Sequence, residues 1–289
     1  MIPVRIGVLP WRVCPRPGLD AWAARLEAEV AIAAAAGAQL LLMPEYAPLE
    51  MATQKHPDLT AELHTAMALT ARAIDVARAV AQRHRVWLLP GTMPHAIGAL
   101  VHNRAGLFAP DGRMAFQDKR VMTRFEAELW QIVPGAPPCV FDTDFGRIGI
   151  AICYDLEFPG LVRAQVEAGA WLILAPSCTD TLAGFNRVRI AARARAMENQ
   201  CFVAVAPTTG LAPEIAVLDE NRGRAGIYGP VDRGFADDGI VAEGGMDDSA
   251  WLFADLDPAA LHRVRAEGAV RNHRDTPPAP PPCIPAVFA

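Results

Sequence analysis

The chain has 289 residues, a hydrophobic fraction of 52% and a formal net charge of −5. This length can bury a large core, and the acidic balance offers no basic surface of the kind that binds nucleic acid. The weakly polar stretch from Ala28 to Leu42 contains polar residues and falls short of the roughly 20 apolar residues of a membrane span, so membrane insertion is not expected.

The cysteines are dispersed, without paired CxxC spacing and without a nearby histidine that would complete a zinc set. They are Cys14, Cys139, Cys153, Cys178, Cys201 and Cys283. This pattern favours a reducing cytoplasm and predicts no metal site. The apolar start of the chain is too short for a secretion signal, so it is interpreted as a first strand.

The first third of the chain alternates short apolar runs with longer amphipathic ones. After the strand within residues 1–10, apolar residues at four-residue spacing predict a helix that ends near Gly37. These apolar residues are Trp22, Leu26 and Val30. A strand at 40–43, a helix over 61–85 and a strand at 86–89 follow, which is the pattern of helices packed on a sheet.

The middle of the chain predicts a hairpin and then further buried strands. Residues 100–108 and 113–117 are predicted to pair around the turn at 110–112. Lys119 therefore stands just beyond a strand end. Later strands, separated by helices, are predicted at residues 147–152, 171–175 and 201–205. The domain is predicted to span residues 1–275, followed by a proline-rich tail at 276–289.

Three segments place a reactive side chain at or just after the end of an apolar strand. They carry Glu45 in Met43-Pro44-Glu45-Tyr46, Lys119 in Gln117-Asp118-Lys119-Arg120, and Cys153 in Ala151-Ile152-Cys153-Tyr154-Asp155. Active sites of layered α/β proteins gather at such strand ends. We therefore expect these three side chains to meet in one site.

The three residue types suit nucleophilic attack on a carbonyl. A thiol needs a base or a lowered pKa before it can attack, and the Glu45 carboxylate is the natural proton acceptor. The tetrahedral intermediate carries an oxyanion, which the Lys119 ammonium and the backbone N–H of Tyr154 would stabilise. No histidine is marked as the base, so a Cys–His hydrolase is disfavoured.

The motifs Pro44-Glu45, Asp118-Lys119 and the segment from Gly149 to Pro159 resemble, in order and separation, the Glu-Lys-Cys signatures of the nitrilase superfamily. The resemblance implies an α/β fold, a four-layer α-β-β-α sandwich, assembled face to face into a homodimer or higher homo-oligomer. It implies a thioester on Cys153, formed with loss of ammonia or an amine and hydrolysed by water. No cofactor or metal is implied.

Members of this family often carry a second glutamate soon after the lysine. Here the candidates are Glu128 and Glu126, with a slight preference for Glu128 because it stands two residues before Trp130. Family pockets are usually lined by residues after the strand that follows the nucleophile, which makes Ser177 and Cys178 candidate substrate-binding residues.

Asp155 and Glu157 are interpreted as favourable charges near a helix start. The pair Tyr154-Asp155 after the nucleophile resembles the amidase branch, whereas nitrilases usually have Trp-Glu there. The prediction is therefore a hydrolase of a small non-peptide amide or carbamoyl compound. A nitrilase acting on a nitrile and a soluble N-acyltransferase are the alternatives, and a non-catalytic member is disfavoured because Glu45, Lys119 and Cys153 are all present.

Overall fold

Two β-sheets form the centre of the protein in the computed structural model, which describes residues 3–14, 18–52 and 58–277. The strands are β1 (Val4–Val8), β2 (Trp11–Arg12), β3 (Leu40–Leu42), β4 (Trp87–Leu89), β5 (Thr92–Ile97), β6 (Leu100–Phe108), β7 (Met114–Asp118), β8 (Val140–Thr143), β9 (Gly146–Ile150), β10 (Leu172–Ser177), β11 (Phe202–Leu211), β12 (Glu220–Asn221), β13 (Gly226–Tyr228), β14 (Ile240–Glu243) and β15 (Leu252–Leu256).

The α-helices lie between these strands or follow them in the chain. They are α1 (Leu19–Ala35), α2 (Leu59–His84), α3 (Pro159–Glu167), α4 (Leu182–Asn199), α5 (Pro258–Glu267) and α6 (Asn272–Asp275). Short 3-10 helices cover Ala47–Ala52 and Cys153–Glu157, and one π-helical turn covers Phe125–Leu129.

The first sheet has the strand order β15-β1-β3-β4-β6-β5, with β7 also paired to β6. Its centre, β1-β3-β4, is parallel, as expected for strands joined by the helices α1 and α2. Strands β5, β6 and β7 add two antiparallel hairpins. The hairpin of β6 and β7 confirms the sequence prediction, whereas β5 was not predicted.

The second sheet has the order β14-β13-β11-β10-β9-β8, with β2 and β12 paired to the end of β11. Strands β9, β10 and β11 are parallel and are connected through α3 and α4. All six residues of β10 are buried, which explains why its sequence is apolar from Leu172 to Pro176. The pairing of β2 with β11 joins the chain of the first sheet to the second.

The main hydrophobic core lies between the two sheets. Val4, Ile6 and Val8 of β1 pack there with Ile148 and Ile150 of β9. Because successive side chains of a strand point to opposite faces, the other face of the first sheet is free to pack against helices.

A second core fills the space between that outer face and the helices α1 and α2. Leu41 and Leu88 pack there, together with the predicted helical stripe of Trp22, Leu26 and Val30. Helices α3 and α4 cover the second sheet, so the layers are helix, sheet, sheet, helix. The predicted four-layer α-β-β-α sandwich is therefore confirmed.

Of the predicted proline-rich tail, only residues 276 and 277 belong to the described part of the chain, and Cys283 lies outside it. The division into a domain and a tail stays a prediction. Among the described residues, no helix combines the length and the apolar character that crossing a membrane requires.

Candidate active site

Glu45 follows the carboxyl end of β3 and is only 1% exposed. The turn between β4 and β5 passes directly over this segment at Gly91, where a Cβ atom would stand 2.4 Å from the Pro44 carbonyl oxygen. Gly91 also has a φ of 115°, a conformation that residues with a side chain rarely adopt. A glycine is therefore required for the close approach that encloses Glu45.

Lys119 follows the last residue of β7 and is also 1% exposed. Its ammonium nitrogen lies 2.7 Å from Glu45 Oε1 and 2.7 Å from Glu126 Oε2. A buried cation is costly unless it is paired, and here two carboxylates surround it. The structure therefore brings together Lys119 and Glu45, as the strand-end argument predicted.

Glu126, and not Glu128, lies in this cluster. Glu126 is 1% exposed and its Oε2 also accepts hydrogen bonds from the backbone N–H and the hydroxyl of Thr123, both at 2.9 Å. The Glu128 side chain is 55% exposed and pairs with Arg124. The segment forms a π-helical turn, which directs the first of the two glutamates toward Lys119 and leaves Glu128, the one slightly preferred from the sequence, outside the cluster.

Asn103 and Tyr46 complete the cluster and were not identified from the sequence. Asn103 Nδ2 donates to Glu45 Oε1 at 2.8 Å and to Glu126 Oε1 at 2.9 Å. The Tyr46 hydroxyl donates to Glu126 Oε1 at 2.8 Å. The sequence signal for Asn103 was an amide side chain within a predicted strand, because a buried amide needs hydrogen-bond partners.

Cys153 begins the short 3-10 helix that follows β9, and its backbone has a positive φ of 47°. A cysteine rarely adopts this conformation, and backbone strain of this kind is concentrated at functional sites. The Cys153 thiol donates to the Cys178 carbonyl oxygen at 3.5 Å. The sharp turn places the thiol at the carboxyl end of the second sheet, where the neighbouring Tyr154 also lies beside the cavity.

Cys178 connects Cys153 with the charged cluster, whereas Ser177 does not reach the cavity. The backbone N–H of Cys178 donates to Glu45 Oε2 at 3.0 Å. The Ser177 hydroxyl is buried and donates to the Ala175 carbonyl oxygen, because successive side chains of this extended segment alternate in direction. Of the two candidate substrate-binding residues, the structure therefore places Cys178, and not Ser177, on the cavity wall.

The two carboxyl groups of the cluster have opposite pKa shifts. Burial raises the pKa of Glu45 above its ordinary value, although Lys119 partly opposes this shift. Burial also acts on Glu126, but Lys119 and the Thr123 N–H outweigh it and lower the pKa of that carboxyl. Two carboxyl groups with separated pKa values can divide the work, one exchanging a proton and the other staying ionised.

The charges of the cluster also shift the pKa values of the Lys119 ammonium and the Cys153 thiol. Burial opposes the ammonium form of Lys119, but Glu126 and Glu45 outweigh it and raise its pKa well above the ordinary range. Burial and the nearby Glu45 charge raise the pKa of the Cys153 thiol. The thiol is therefore protonated at neutral pH, and a nucleophilic role for it would require a base that removes its proton.

A cavity of about 570 Å³ opens onto this cluster. Its floor is formed by Glu45, Lys119, Glu126 and Cys153, and Cys178 lies on its wall. The mouth carries charged side chains from several segments, namely Arg124, Glu157, Asp180, Arg187 and Asp219. The volume is that of a small-molecule site.

Asp155 and Glu157 share the 3-10 helix of Cys153 but face different surroundings. Asp155 is buried, and its carboxylate accepts hydrogen bonds from the backbone N–H groups of Arg120 and Val121. Glu157 accepts a hydrogen bond from Arg187 at the cavity mouth. The interpretation as helix-end charges therefore leaves out the contacts that Asp155 makes with another segment.

Comparison with known proteins gives a family match over most of the chain. The family model for carbon-nitrogen hydrolases matches residues 13–243. A probable hydrolase of Bacillus subtilis, YhcX, is 33% identical over 276 residues, which cover 94% of this chain and 53% of that protein. The chain thus spans about half the length of this relative.

A deaminated glutathione amidase of Synechocystis is 27% identical over 90% of this chain and 94% of its own length. The crystal structure of an amidase from Nesterenkonia superposes with a TM-score of 0.68 and 25% identity, covering 91% of this chain and 94% of that one. The match of the family model to most of the chain, together with these relatives, shows that the chain belongs to the carbon-nitrogen hydrolase family, within the nitrilase superfamily.

Proposed function

We propose that this chain is an amidase in which Cys153 attacks the carbonyl carbon of a small amide or carbamoyl compound. The observation that carries the proposal is the Lys119 ammonium, held 2.7 Å from both Glu45 and Glu126 at the floor of a cavity that also exposes Cys153. A charge network of this kind, buried beside a thiol, is costly to fold and suits chemistry at that thiol.

Glu45 acts as the general base. It takes the proton of the Cys153 thiol as sulfur bonds to the carbonyl carbon, and it passes that proton to the nitrogen of the leaving group as the carbon–nitrogen bond breaks. Ammonia or an amine departs and a thioester remains on Cys153. Glu45 then takes a proton from water, whose oxygen attacks the thioester carbon. The carbon–sulfur bond breaks, Glu45 returns the proton to the Cys153 sulfur, and the acid leaves.

Lys119 and the backbone N–H of Tyr154 stabilise the oxyanion. Tyr154 is the second residue of the 3-10 helix, and N–H groups in a first helical turn have no acceptor within the helix. The Lys119 ammonium stays charged because its pKa is raised. Both donors are fixed before the reaction, which is the condition under which such stabilisation is large.

Glu126 holds Lys119 in place and remains ionised. Its carboxylate binds the ammonium, the Asn103 amide, the Tyr46 hydroxyl and the Thr123 N–H, so its position is set from four directions. The lowered pKa of Glu126 fits this role, whereas the raised pKa of Glu45 fits proton transfer.

Two properties support a small amide as the substrate class. The cavity volume of about 570 Å³ suits a small molecule, and Tyr154 follows the nucleophile as in the amidase branch. The names of the Synechocystis and Nesterenkonia relatives are those of amidases. The described cysteines are free thiols, which supports a reducing cytoplasm as the compartment of this activity.

The proposal is tested by trapping the acyl-enzyme and by screening substrates. Rapid quenching with a turnover amide is expected to add the acyl mass to the peptide that contains Cys153, and Cys153→Ala is expected to abolish both this adduct and ammonia release. Cys139→Ala, at an exposed cysteine outside the cavity, is the matched control and should keep full activity.

The screen compares ω-amides, carbamoyl compounds and aliphatic amides with the corresponding nitriles. Ammonia or amine release from amides, with none from nitriles, is the expected result. Turnover of nitriles alone would reject the amidase, and full activity of Cys153→Ala would reject the nucleophile.

We also propose that the chain forms a homodimer through its second-sheet side. The outer surface of α4 leaves large apolar side chains exposed, including Leu182, Ile190 and Met197. Exposed apolar residues grouped on one helix are typical of a protein interface. Sedimentation analysis of the protein should give twice the chain mass, and Ile190→Glu should shift it toward the monomer.

A further inference from the structure

Asp155 occupies a position between the two halves of the site. It is 2% exposed and stands two residues after Cys153, on the same 3-10 helix. Its side chain points away from the cavity, toward the segment that follows Lys119. The two charged residues of this helix therefore face different surroundings: Glu157 faces the cavity mouth, and Asp155 faces the first sheet.

The Asp155 carboxylate accepts hydrogen bonds from two consecutive backbone N–H groups. Arg120 N lies 3.1 Å from each carboxylate oxygen, and Val121 N lies 2.8 Å from Oδ1. These are the two residues directly after Lys119. The Lys119 backbone itself is also held, since its N–H donates to the Asn103 carbonyl at 2.9 Å and its carbonyl accepts from Gly135 N at 3.0 Å.

We infer that Asp155 is a positioning residue that sets the place of the Lys119 ammonium relative to the Cys153 thiol. Lys119 comes from the first sheet and Cys153 from the second, so their separation depends on contacts that join the two. Asp155 provides such a contact through the backbone, one residue beyond Lys119. The inference rests on the proposed function, because it assigns Lys119 and Cys153 to the same reaction.

The ionised form of Asp155 suits this role. Burial raises its pKa to about 6, with the backbone N–H groups and Lys119 acting in the opposite direction, so the carboxylate is charged at neutral pH. Both of its oxygens can then accept hydrogen bonds. An asparagine of the same shape would lose the charge that strengthens both hydrogen bonds and would turn its NH2 group toward the Arg120 N–H in place of Oδ2.

The test compares steady-state kinetics of Asp155→Asn with those of the wild type, using an amide that the wild type hydrolyses. Because the oxyanion exists only along the reaction and not in the bound substrate, kcat should fall by about tenfold or more while KM changes by less than about threefold. Asp142→Asn, at an 81% exposed side chain on β8, is the matched control and should leave both constants unchanged.

A second variant does not depend on the folding of the first. Asp155→Glu keeps the charge but adds a methylene in a buried space, which must displace the peptide groups of Arg120 and Val121. We expect a lower kcat at similar KM here as well. The inference would be overturned if Asp155→Glu, or folded Asp155→Asn, kept the wild-type kcat. It would also be overturned if KM rose about tenfold while kcat stayed unchanged.

Failure of this inference can be told apart from failure of the proposed function. If Cys153→Ala and Lys119→Met abolish ammonia release while the Asp155 variants turn over normally, only the positioning role is rejected. If Cys153→Ala retains activity, the proposed function itself is rejected.

Discussion

The two sheets contribute to the site in different ways. The first-sheet side supplies Glu45, Asn103, Lys119 and Glu126, which are buried and bonded to one another. The second-sheet side supplies Cys153, whose backbone has a positive φ and whose thiol lies beside the Cys178 carbonyl oxygen and the Glu45 carboxylate. One side is a closed network of fixed charges, and the other presents a reactive atom on a strained turn.

This difference supports the proposed roles, in which the first-sheet side stabilises the oxyanion and the second-sheet side supplies the nucleophile. Charges that stabilise an oxyanion must be fixed in advance, because reorganising them during the reaction would cost part of the benefit. A nucleophile must instead be free to form a bond, so it has few competing partners. Variants on the first-sheet side should therefore affect stability and rate together, whereas variants near the thiol should affect mainly the reaction.

The largest effect is expected for Lys119→Met. It removes the cation between two buried carboxylates, which should lower the free energy of unfolding by about 3–5 kcal/mol and abolish ammonia release. Urea denaturation and an ammonia assay measure the two effects. Arg147→Met, at an exposed ion pair of β9, is the control and should change stability by no more than about 0.5 kcal/mol. If Lys119→Met were as stable as the wild type, the Lys119 ammonium would not be needed to offset the buried charges of Glu45 and Glu126.

Glu126→Gln and Glu128→Gln should differ strongly although they lie in one turn. Glu126→Gln weakens the hold on Lys119 and leaves the Thr123 donors poorly matched, so we expect a loss of about 1–3 kcal/mol in stability and of about tenfold or more in kcat. Glu128→Gln alters only an exposed pair with Arg124 and should stay within about 0.5 kcal/mol.

The reverse order of effects would restore Glu128 as the second glutamate and contradict the assignment of Glu126. Both variants keep the size of the side chain, so the comparison isolates the charge. Circular dichroism and thermal unfolding show whether either variant has lost its fold before the kinetics are compared.

Activity and stability should respond to acid at different pH values. The pKa of Glu45 is raised above 4.5, so the base becomes protonated, and kcat/KM falls, at a pH above that value. The folded state holds this proton more tightly than the unfolded chain, so protonation of Glu45 does not itself destabilise the fold. Activity should therefore be lost before the protein unfolds.

The pKa of Glu126 is shifted in the opposite direction to that of Glu45. Its folded-state pKa is lowered below 4.5, so it contributes stability that is present above pH 4.5 and is lost as the pH falls through the folded-state value. A pH titration followed by both ammonia release and unfolding should show two separate transitions. A single transition, with activity and fold lost together, would mean that the two carboxyl groups are not divided as proposed.

Sequence patterns predicted the strand ends well and the local backbone poorly. Buried strands are apolar in an uninterrupted run, so Glu45, Lys119 and Cys153 stood out as the first polar or reactive residues after such runs. The sandwich layering followed from the resemblance to a known family. These features depend on periodicity and on order along the chain, which the sequence contains directly.

The choice between Glu126 and Glu128 depended instead on a π-helical turn, which no periodicity marks. Asn103 lies inside a strand, and its role depends on hydrogen bonds to Glu45 and Glu126, which come from distant parts of the sequence. Ser177 and Cys178 differ by one residue, and their directions depended on where β10 ends. Such contacts arise from tertiary structure and could not be predicted from one sequence.

The smallest effect is expected for Cys178→Ser, at the residue whose carbonyl oxygen accepts the hydrogen bond of the Cys153 thiol. Cys178 contacts Glu45 and Cys153 through its backbone N–H and carbonyl, and serine keeps both groups. Its thiol, which lies near Asn221 Oδ1 and on the cavity wall, changes only in size and polarity. We therefore expect kcat within about threefold of the wild type and a larger change in KM, because the wall contacts substrate and transition state alike. A large loss of kcat at unchanged KM would instead place the Cys178 side chain among the groups that act on the reacting atoms.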